Sequence, residues 1–345
     1  MPARGPAKAS AAPRTAVNAR RTAGLLLAVV LLAAVTAASI ALGARTVPPG
    51  HVWHGLFHHT GTDDDVVIRE VRLPRTLLGL LAGSALGLAG ATMQTLTRNP
   101  LADPGLLGVN AGAAAAVVTA ISFFGVTSLT GYVWFALAGA AIVSAVVYVI
   151  GGSRSATPVR LALAGTAVTA LLQGWTGAVE LTDNAALDRM RFWQIGSLAG
   201  ADAATVWRVA PFIAAGALLA FATGRPLNAL ALGDDAARGL GARPARTRVL
   251  ALAAVTLLCG AATAACGPIV FVGLMVPHAV RRVTGPDMRW VLPYAAVLAP
   301  VLLLGADVVG RLVTRPAELQ AGIVTAVLGG PVFIALVRRG RTVRL

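Results

Sequence analysis

Apolar residues run in long blocks along this chain, separated by short polar or Gly/Pro-rich stretches. A helix that crosses a bilayer needs about 20 mostly apolar residues. Ten blocks approach that length, at roughly 22–43, 73–96, 106–126, 131–151, 160–180, 203–223, 247–266, 268–284, 290–312 and 318–337. The eighth is short and opens on Gly267-Pro268. The pattern predicts an all-α polytopic membrane protein of about ten transmembrane helices. A polar tail at 1–21 would precede the membrane region 22–338, and a basic tail at 339–345 would follow it. The longest polar interruption on the tail side is 225–248.

Composition sharpens this reading. Of 345 residues, 57% are hydrophobic and only 12% charged, with a net charge of +15 and a mean hydropathy of +0.75. A soluble domain carries about 25% charged residues. The positive charge invites a nucleic-acid reading, but the arginines are scattered over loops with no interleaved aromatic stripe, so no nucleic-acid partner is expected. Scattered loop cations instead set orientation. Most of them fall on the side of the two tails, which predicts cytoplasmic termini in a cell membrane. Arg69, Arg72, Arg75, Arg311 and Arg315 are among the exceptions. The first apolar block, with ALGA near its end, has the features of a signal peptide. Its length and the spans after it favour an uncleaved helix. Cys259 and Cys266 form neither a disulfide framework nor a metal site; small buried thiols are the simpler reading.

Three irregular stretches interrupt the blocks. NPLADPGLLGV (Asn99–Val109) puts Pro100, Asp103, Pro104 and Gly105 between two spans. Proline removes an amide donor and glycine loosens the chain, so this stretch cannot cross lipid as regular helix. Such backbone lines an enclosed cavity or ends a helix, and broken helices recur near transport paths. An ordinary turn is the competing account. GPIVFVGLMVPHAVRR (Gly267–Arg282) repeats the theme with Gly267, Pro268 and Pro277. Each stretch follows a long span, 73–96 or 247–266, which suggests two halves related as inverted repeats. The third, Arg225–Arg248, holds Asp234-Asp235 ahead of Arg238, Leu240 and Gly241. Acids at the start and glycine at the end suit a short helix that either docks a partner or connects two spans. Outside the spans, His54, His58 and His59 lie near Asp63, Asp64 and Asp65. Polar decoration explains them better than a metal site, because no ligand pair is locked on an element. Glycines at 79, 83, 87 and 90 share one helical face and serve close packing.

The only lysine is Lys8, so a GxxxxGK[ST] phosphate loop cannot exist here. If ATP drives this protein, another chain hydrolyses it. Acids that could relay ions are scarce: Glu180 and Asp307 lie near outer span ends, which weakens a secondary transporter or channel.

Several stretches together carry a family resemblance: RLPR at Arg72–Arg75, GATMQTLTRNPLADPGLLGVNAGA at Gly90–Ala113, LALGDDAARGLG at Leu230–Gly241, GPIVFVGLMVPHAVRRVTGPDMR at Gly267–Arg289, LLGADVVGRL at Leu303–Leu312 and GIVTAVLGGPVFIALV at Gly322–Val337. The chain resembles the permeases of type II ABC importers, the FecCD family, which includes ferric-siderophore, haem and vitamin B12 importers. The resemblance implies ten helices per subunit and a second permease subunit, identical or related. It also implies two cytoplasmic ATPase subunits that use ATP, and an extracytoplasmic substrate-binding protein. It implies no covalent chemistry and no bound cofactor or metal in this chain. Gly233, Asp234, Asp235, Arg238, Leu240 and Gly241 match the element that couples to the ATPase. Arg72 and Arg311 match outer-surface arginines that receive the binding protein. Asn99, Pro100, Asp103, Pro104, Gly105, Gly267, Pro268 and Pro277 fall in the gate region or its scaffold. Iron(III)-siderophore import is the leading function, with vitamin B12 or haem as alternative cargo.

Overall fold

The structure, a computed structural model, describes residues 14–58, 61–126, 128–152 and 158–338. Lys8, His59 and the basic tail 339–345 lie outside the described residues, as does most of the tail expected at 1–21. Among the described residues every regular element is helical. The long helices are α1 (Arg14–Ala41), α4 (Leu73–Leu96), α5 (Val109–Phe124), α6 (Leu129–Ile150), α7 (Pro158–Thr182), α9 (Ala203–Ala231), α11 (Pro244–Cys266), α12 (Val272–Thr284), α13 (Met288–Val313) and α14 (Ala321–Arg338). They coincide one for one with the ten apolar blocks. Six are long and apolar enough to cross a membrane, counting the Asp63–Leu96 stretch as one; α5 and α14 are shorter apolar helices.

Four short helices complete the order: α2 (Pro49–Phe57), α3 (Asp63–Val66), α8 (Asn184–Trp193) and α10 (Asp234–Gly239). A π-helical turn, Val67–Arg72, joins α3 to α4. Polar residues start α3 and α8 by accepting from free first-turn amides: Thr62 and Asp65 form a capping box, and Asp183 accepts from Ala185 and Ala186. The boundaries shift in three places. Helix α1 starts at Arg14 rather than Thr22, because alanine and arginine extend a helix without needing an apolar face. Helix α9 runs on to Ala231, which shortens the expected 225–248 loop. Helix α12 begins at Val272 rather than at Pro268.

Helix α4 is the central post, and 78% of its apolar window is buried. Its glycines meet backbone on two neighbours. A Cβ at Gly83 would overlap the Pro300 backbone, one at Gly87 the Ala295 carbonyl, and one at Gly90 the Gly273 backbone. With α13 the pairing runs antiparallel, from Gly79 against Leu304 to Gly87 against Ala295, and the Ser84 hydroxyl donates to the Ala296 carbonyl at 2.7 Å. Helix α1, by contrast, is only 11% buried over its window and leaves Leu26 and Leu27 outward, as a lipid-facing helix does.

These contacts predict a steep dependence on residue size. Gly90→Val should lower the thermal midpoint of the detergent-solubilised protein, at a cost of roughly 1–3 kcal/mol. Gly305→Ala, where an added Cβ meets nothing within 4 Å, should leave the midpoint in place. Equal midpoints for the two variants would contradict the packing described.

Candidate functional site

The two broken stretches come together inside the bundle. After α4 ends, Arg98 adopts a left-handed conformation with φ of 50°. Asn99 Oδ1 accepts from the Leu101 amide at 3.0 Å, and Asp103 Oδ1 accepts from the Gly105 amide at 2.7 Å. A short 3-10 turn, Pro104–Leu107, then leads through Gly108, φ 72°, into α5. The prolines and the two side-chain acceptors therefore replace helical hydrogen bonds with local ones. Buried Pro104 packs about 3.4 Å from where a Gly273 Cβ would stand. Gly267, with φ of 71°, approaches the Trp193 carbonyl so closely that a Cβ would overlap it. Pro277 is buried within α12. Asn99 is exposed and Pro100 half-buried, at the end of the bundle that carries Asp234.

Gly105, Pro268 and the α5 residue Asn110 line a cavity of about 510 Å³ between α5 and α7. Asn110 Oδ1 accepts from the Thr263 hydroxyl at 2.8 Å. Cys259 and Cys266 are buried free thiols. Deeper in the bundle, Arg281 is 2% exposed. It donates to Gln94 Oε1, to the Ala91 carbonyl at 3.0 Å and to Thr95 Oγ1 at 2.9 Å, which ties α12 to α4 through neutral acceptors.

At the Asp234 end, α10 stands between α9 and α11. Gly233 (φ 113°) and Gly241 (φ 79°) take left-handed conformations that other residues rarely adopt. Asp235, Arg238 and Leu240 are exposed, and Arg238 pairs with Asp235 at 2.7 Å. Asp234 points the other way. It accepts from Arg98 at 3.1 Å and from Arg248 at 2.8 Å, while Arg98 also donates to the Leu230 carbonyl at 2.6 Å. Burial works against the charge on Asp234, but Arg248 and then Arg98 outweigh it and hold the carboxyl below its usual range. Asp234 is thus a brace between α4, α9 and α11. Of the residues expected to couple to a partner there, Asp235, Arg238 and Leu240 are the ones left exposed.

At the opposite end, the surface position expected for Arg72 and Arg311 is corrected. Both are buried, at 3% and 2% exposure. Arg72 donates to the Ile40 carbonyl at 2.9 Å, the Ala41 carbonyl at 2.7 Å and the Arg45 carbonyl at 2.5 Å. Arg311 donates to the carbonyls of Ser39 and Leu42, each at 3.0 Å, and Arg315 to Gly43 at 2.8 Å. A helix C-terminus leaves four carbonyls unpaired and carries partial negative charge; these arginines satisfy both at the end of α1. Asp307 sits beneath them, fully buried, between Arg75 at 2.8 Å and Arg311 at 2.9 Å. Arg75 reaches Glu318 as well, at 2.6 Å. Nearby, Asp64 is held by Arg45 and His51. No group of three His, Cys, Asp or Glu residues among the described residues is arranged to hold a metal ion.

Sequence reasoning missed Arg98 and Arg248 as partners of Asp234, and Arg75 and Glu318 as partners of the Asp307 end. Their one signal was charge in or beside a span, which needs a partner in a low-dielectric setting.

Helices long enough to span, packed on one another by backbone contact, define a multi-pass membrane protein. Comparison narrows the class. The FecCD transport family matches residues 29–339, and the chain belongs to that family. It is 48% identical over 319 residues to the ferric enterobactin transport system permease protein FepD of Escherichia coli (strain K12), across 92% of this chain and 94% of the relative. Over 337 residues it is 37% identical to the hemin transport system permease protein HmuU of Yersinia pestis, across 95% and 98%. A solved structure described as an inward-facing metal-chelate type ABC transporter superposes with a TM-score of 0.80 at 26% identity, covering 91% of this chain and 98% of that one.

Two outcomes are expected from the ion pairs. Asp307→Asn leaves buried Arg311 without a carboxylate and Arg75 with Glu318 alone, and should destabilise the protein by roughly 3–5 kcal/mol, read as a lower thermal midpoint. A midpoint like that of the wild type would refute the buried network. Asp234→Asn should cost stability near neutral pH. Because the folded-state carboxyl titrates below its usual range, its contribution is present above the ordinary aspartate pKa, about 4, and fades as pH falls through the lower folded value. The gap between wild-type and D234N midpoints should therefore close on acidification; a gap independent of pH would contradict the brace.

Proposed function

We propose that this chain is the membrane permease subunit of an ATP-driven importer and forms the path for an iron(III)-siderophore complex. The observation that carries the proposal is family membership with near end-to-end similarity to a ferric enterobactin permease. The sequence supports a division of labour, since its lone lysine precludes a phosphate loop and hydrolysis belongs on two partner ATPase subunits. A second permease subunit, identical or related, completes the path, and an extracytoplasmic binding protein delivers the cargo. In this reading the termini and α10 face the cytoplasm. Asp235, Arg238 and Leu240 touch the ATPase, and Asp234 passes its movement to Arg98 at the foot of α4. The segments around Pro104, Gly105 and Pro268 line the path or support its gate. The inverted relation of the two halves enters on the same footing. Its support is the matching burial of α4 and α11, at 78% and 72% of their apolar windows, each followed by a Gly/Pro stretch. Similarity to the Yersinia hemin permease makes haem the second reading of the cargo.

Uptake decides between them. Cells lacking this gene should lose import of radio-iron on the native siderophore while labelled haem import continues. Loss of haem import alone would replace the cargo, and loss of neither would remove the assignment. Within the importer, Asp235→Arg combined with Leu240→Arg should cut uptake by about tenfold, on the scale of losing an interface hot spot, without lowering the thermal midpoint. Unchanged uptake with normal co-purification of the ATPase would remove α10 from the coupling role.

A further inference from the structure

Helix α1 is held lightly, with 11% of its apolar window buried. Its foot meets the start of α13. Tyr294 donates its hydroxyl to the Arg21 carbonyl at 2.5 Å, and a Cβ at Gly24 would overlap that hydroxyl. Beside this contact lies a hollow of about 340 Å³, lined by Asn18 and Arg21 from α1 and by Arg289, Trp290 and Pro293 from α13. Asn228, near the end of α9, donates to Asp287 at 2.7 Å, so the hollow lies at the end of the bundle that carries Asp234.

The hollow is cationic and only partly compensated. Arg21 holds its guanidinium 5.9 Å from the Trp290 ring centroid and has no carboxylate partner among the described residues. Arg289 gives Nε and Nη2 to Asp287, at 3.0 and 2.7 Å, and its Nη1 has no partner among the described residues. Arg20 is exposed beside Arg21 in the chain. Arg282, also exposed, lies three residues before Gly285, where a built Cβ comes within 3.5 Å of Arg21 Nη2. Four arginines and one carboxylate make this corner net positive.

These groups suit one kind of ligand. Guanidinium donors match phosphate oxygens in pairs, and tryptophan favours the headgroup level of a bilayer. From the hollow an apolar track leads into the membrane. Leu25, Val29 and Leu32 follow Asn18 at seven, eleven and fourteen residues, on the same helical face. Val29 is 46% exposed, and Leu25 and Leu32 are half-buried. A free anion would use the arginines and leave this track open; a lipid would use both.

We propose that the hollow between α1 and α13 binds the headgroup of an anionic phospholipid, with its phosphate on Arg21 and Arg289 and an acyl chain along α1. The lipid fastens a loosely packed helix to the bundle.

The test takes the full-length permease, delipidated in mild detergent, and titrates it with phosphatidylglycerol or with phosphatidylcholine. Bound lipid and the thermal midpoint are measured. Phosphatidylglycerol should bind saturably and raise the midpoint more than phosphatidylcholine does. Arg21→Gln should weaken phosphatidylglycerol binding about fivefold, and Arg21→Lys should keep most of it. Without lipid, R21Q should melt close to the wild type, because the Arg21 side chain has no ion pair to lose. Arg189→Gln, at an exposed position on α8 at the opposite end, should bind like the wild type. Equal responses to the two lipids, or R21Q binding like the wild type, would overturn the proposal. A loss as large in R189Q would reduce the effect to overall charge and overturn it too. Glycerophosphoglycerol, the same headgroup without acyl chains, separates the sources of phosphate. It should leave the midpoint in place; a rise as large as with the lipid would make this a site for free phosphate esters and remove the lipid.

Discussion

Backbone-to-backbone contact along α4 is the constraint on which the rest of this molecule depends. Between helices in lipid there is no water to expel, so association rests on close packing and on shared polar groups. Gly83, Gly87 and Gly90 let the backbones of α13 and α12 approach α4 where any side chain would overlap them. That contact fixes α4 in place and so fixes what lies at its two ends. One end presents Arg72 and Arg75, and the other presents Arg98 ahead of the broken loop at Asn99–Val109.

The two ends solve the same problem differently. Both must satisfy unpaired carbonyls and compensate charge. At the Asp307 end the solution is buried: two guanidinium groups enclose one carboxylate, and three arginines close off α1. Loosening any member exposes a charge to a poorly solvated site, which makes this end stiff. At the Asp234 end the pairs are half-exposed, with Arg98 40% and Asp234 32% accessible. Water can replace their partners at small cost, so this end can rearrange. A displacement of α10 would reach α4 through Asp234 and Arg98, and α11 through Arg248.

The cavity lies between these ends and is bounded by irregular backbone. Pro104 packs against Gly273 in the first turn of α12, and Gly267 against the Trp193 carbonyl at the end of α8, so prolines and glycines bring the broken stretches close to neighbouring helices. Proline needs no acceptor, and Asp103 and Asn99 supply local ones. The wall this creates is polar on the α7 side, and on the α5 side it carries Ala111 and Ala114 beside Asn110.

Ten apolar blocks, their order and their near-complete conversion into helices were determined by the sequence alone. A helix satisfies its own backbone, so in lipid the apolar run already implies it. The glycine face of α4, the short helix at Asp234 and the helix-breaking loops were legible for the same reason: each is a local property of a few neighbouring residues. What only the tertiary structure decided is where the charged side chains go. Arg72 and Arg311 turn inward because the open carbonyls of α1, more than thirty and some 270 residues away in the chain respectively, come to rest beside them. Asp234 turns inward because Arg98 and Arg248 converge on it, whereas its neighbour Asp235 meets only Arg238 and stays in solvent. Thr169, Gln173, Thr176 and Glu180 on α7 became a cavity wall only once α5 and Pro268 were set opposite them. A charge takes the direction of whichever partner folding brings within reach, and that partner is not encoded in its own neighbourhood.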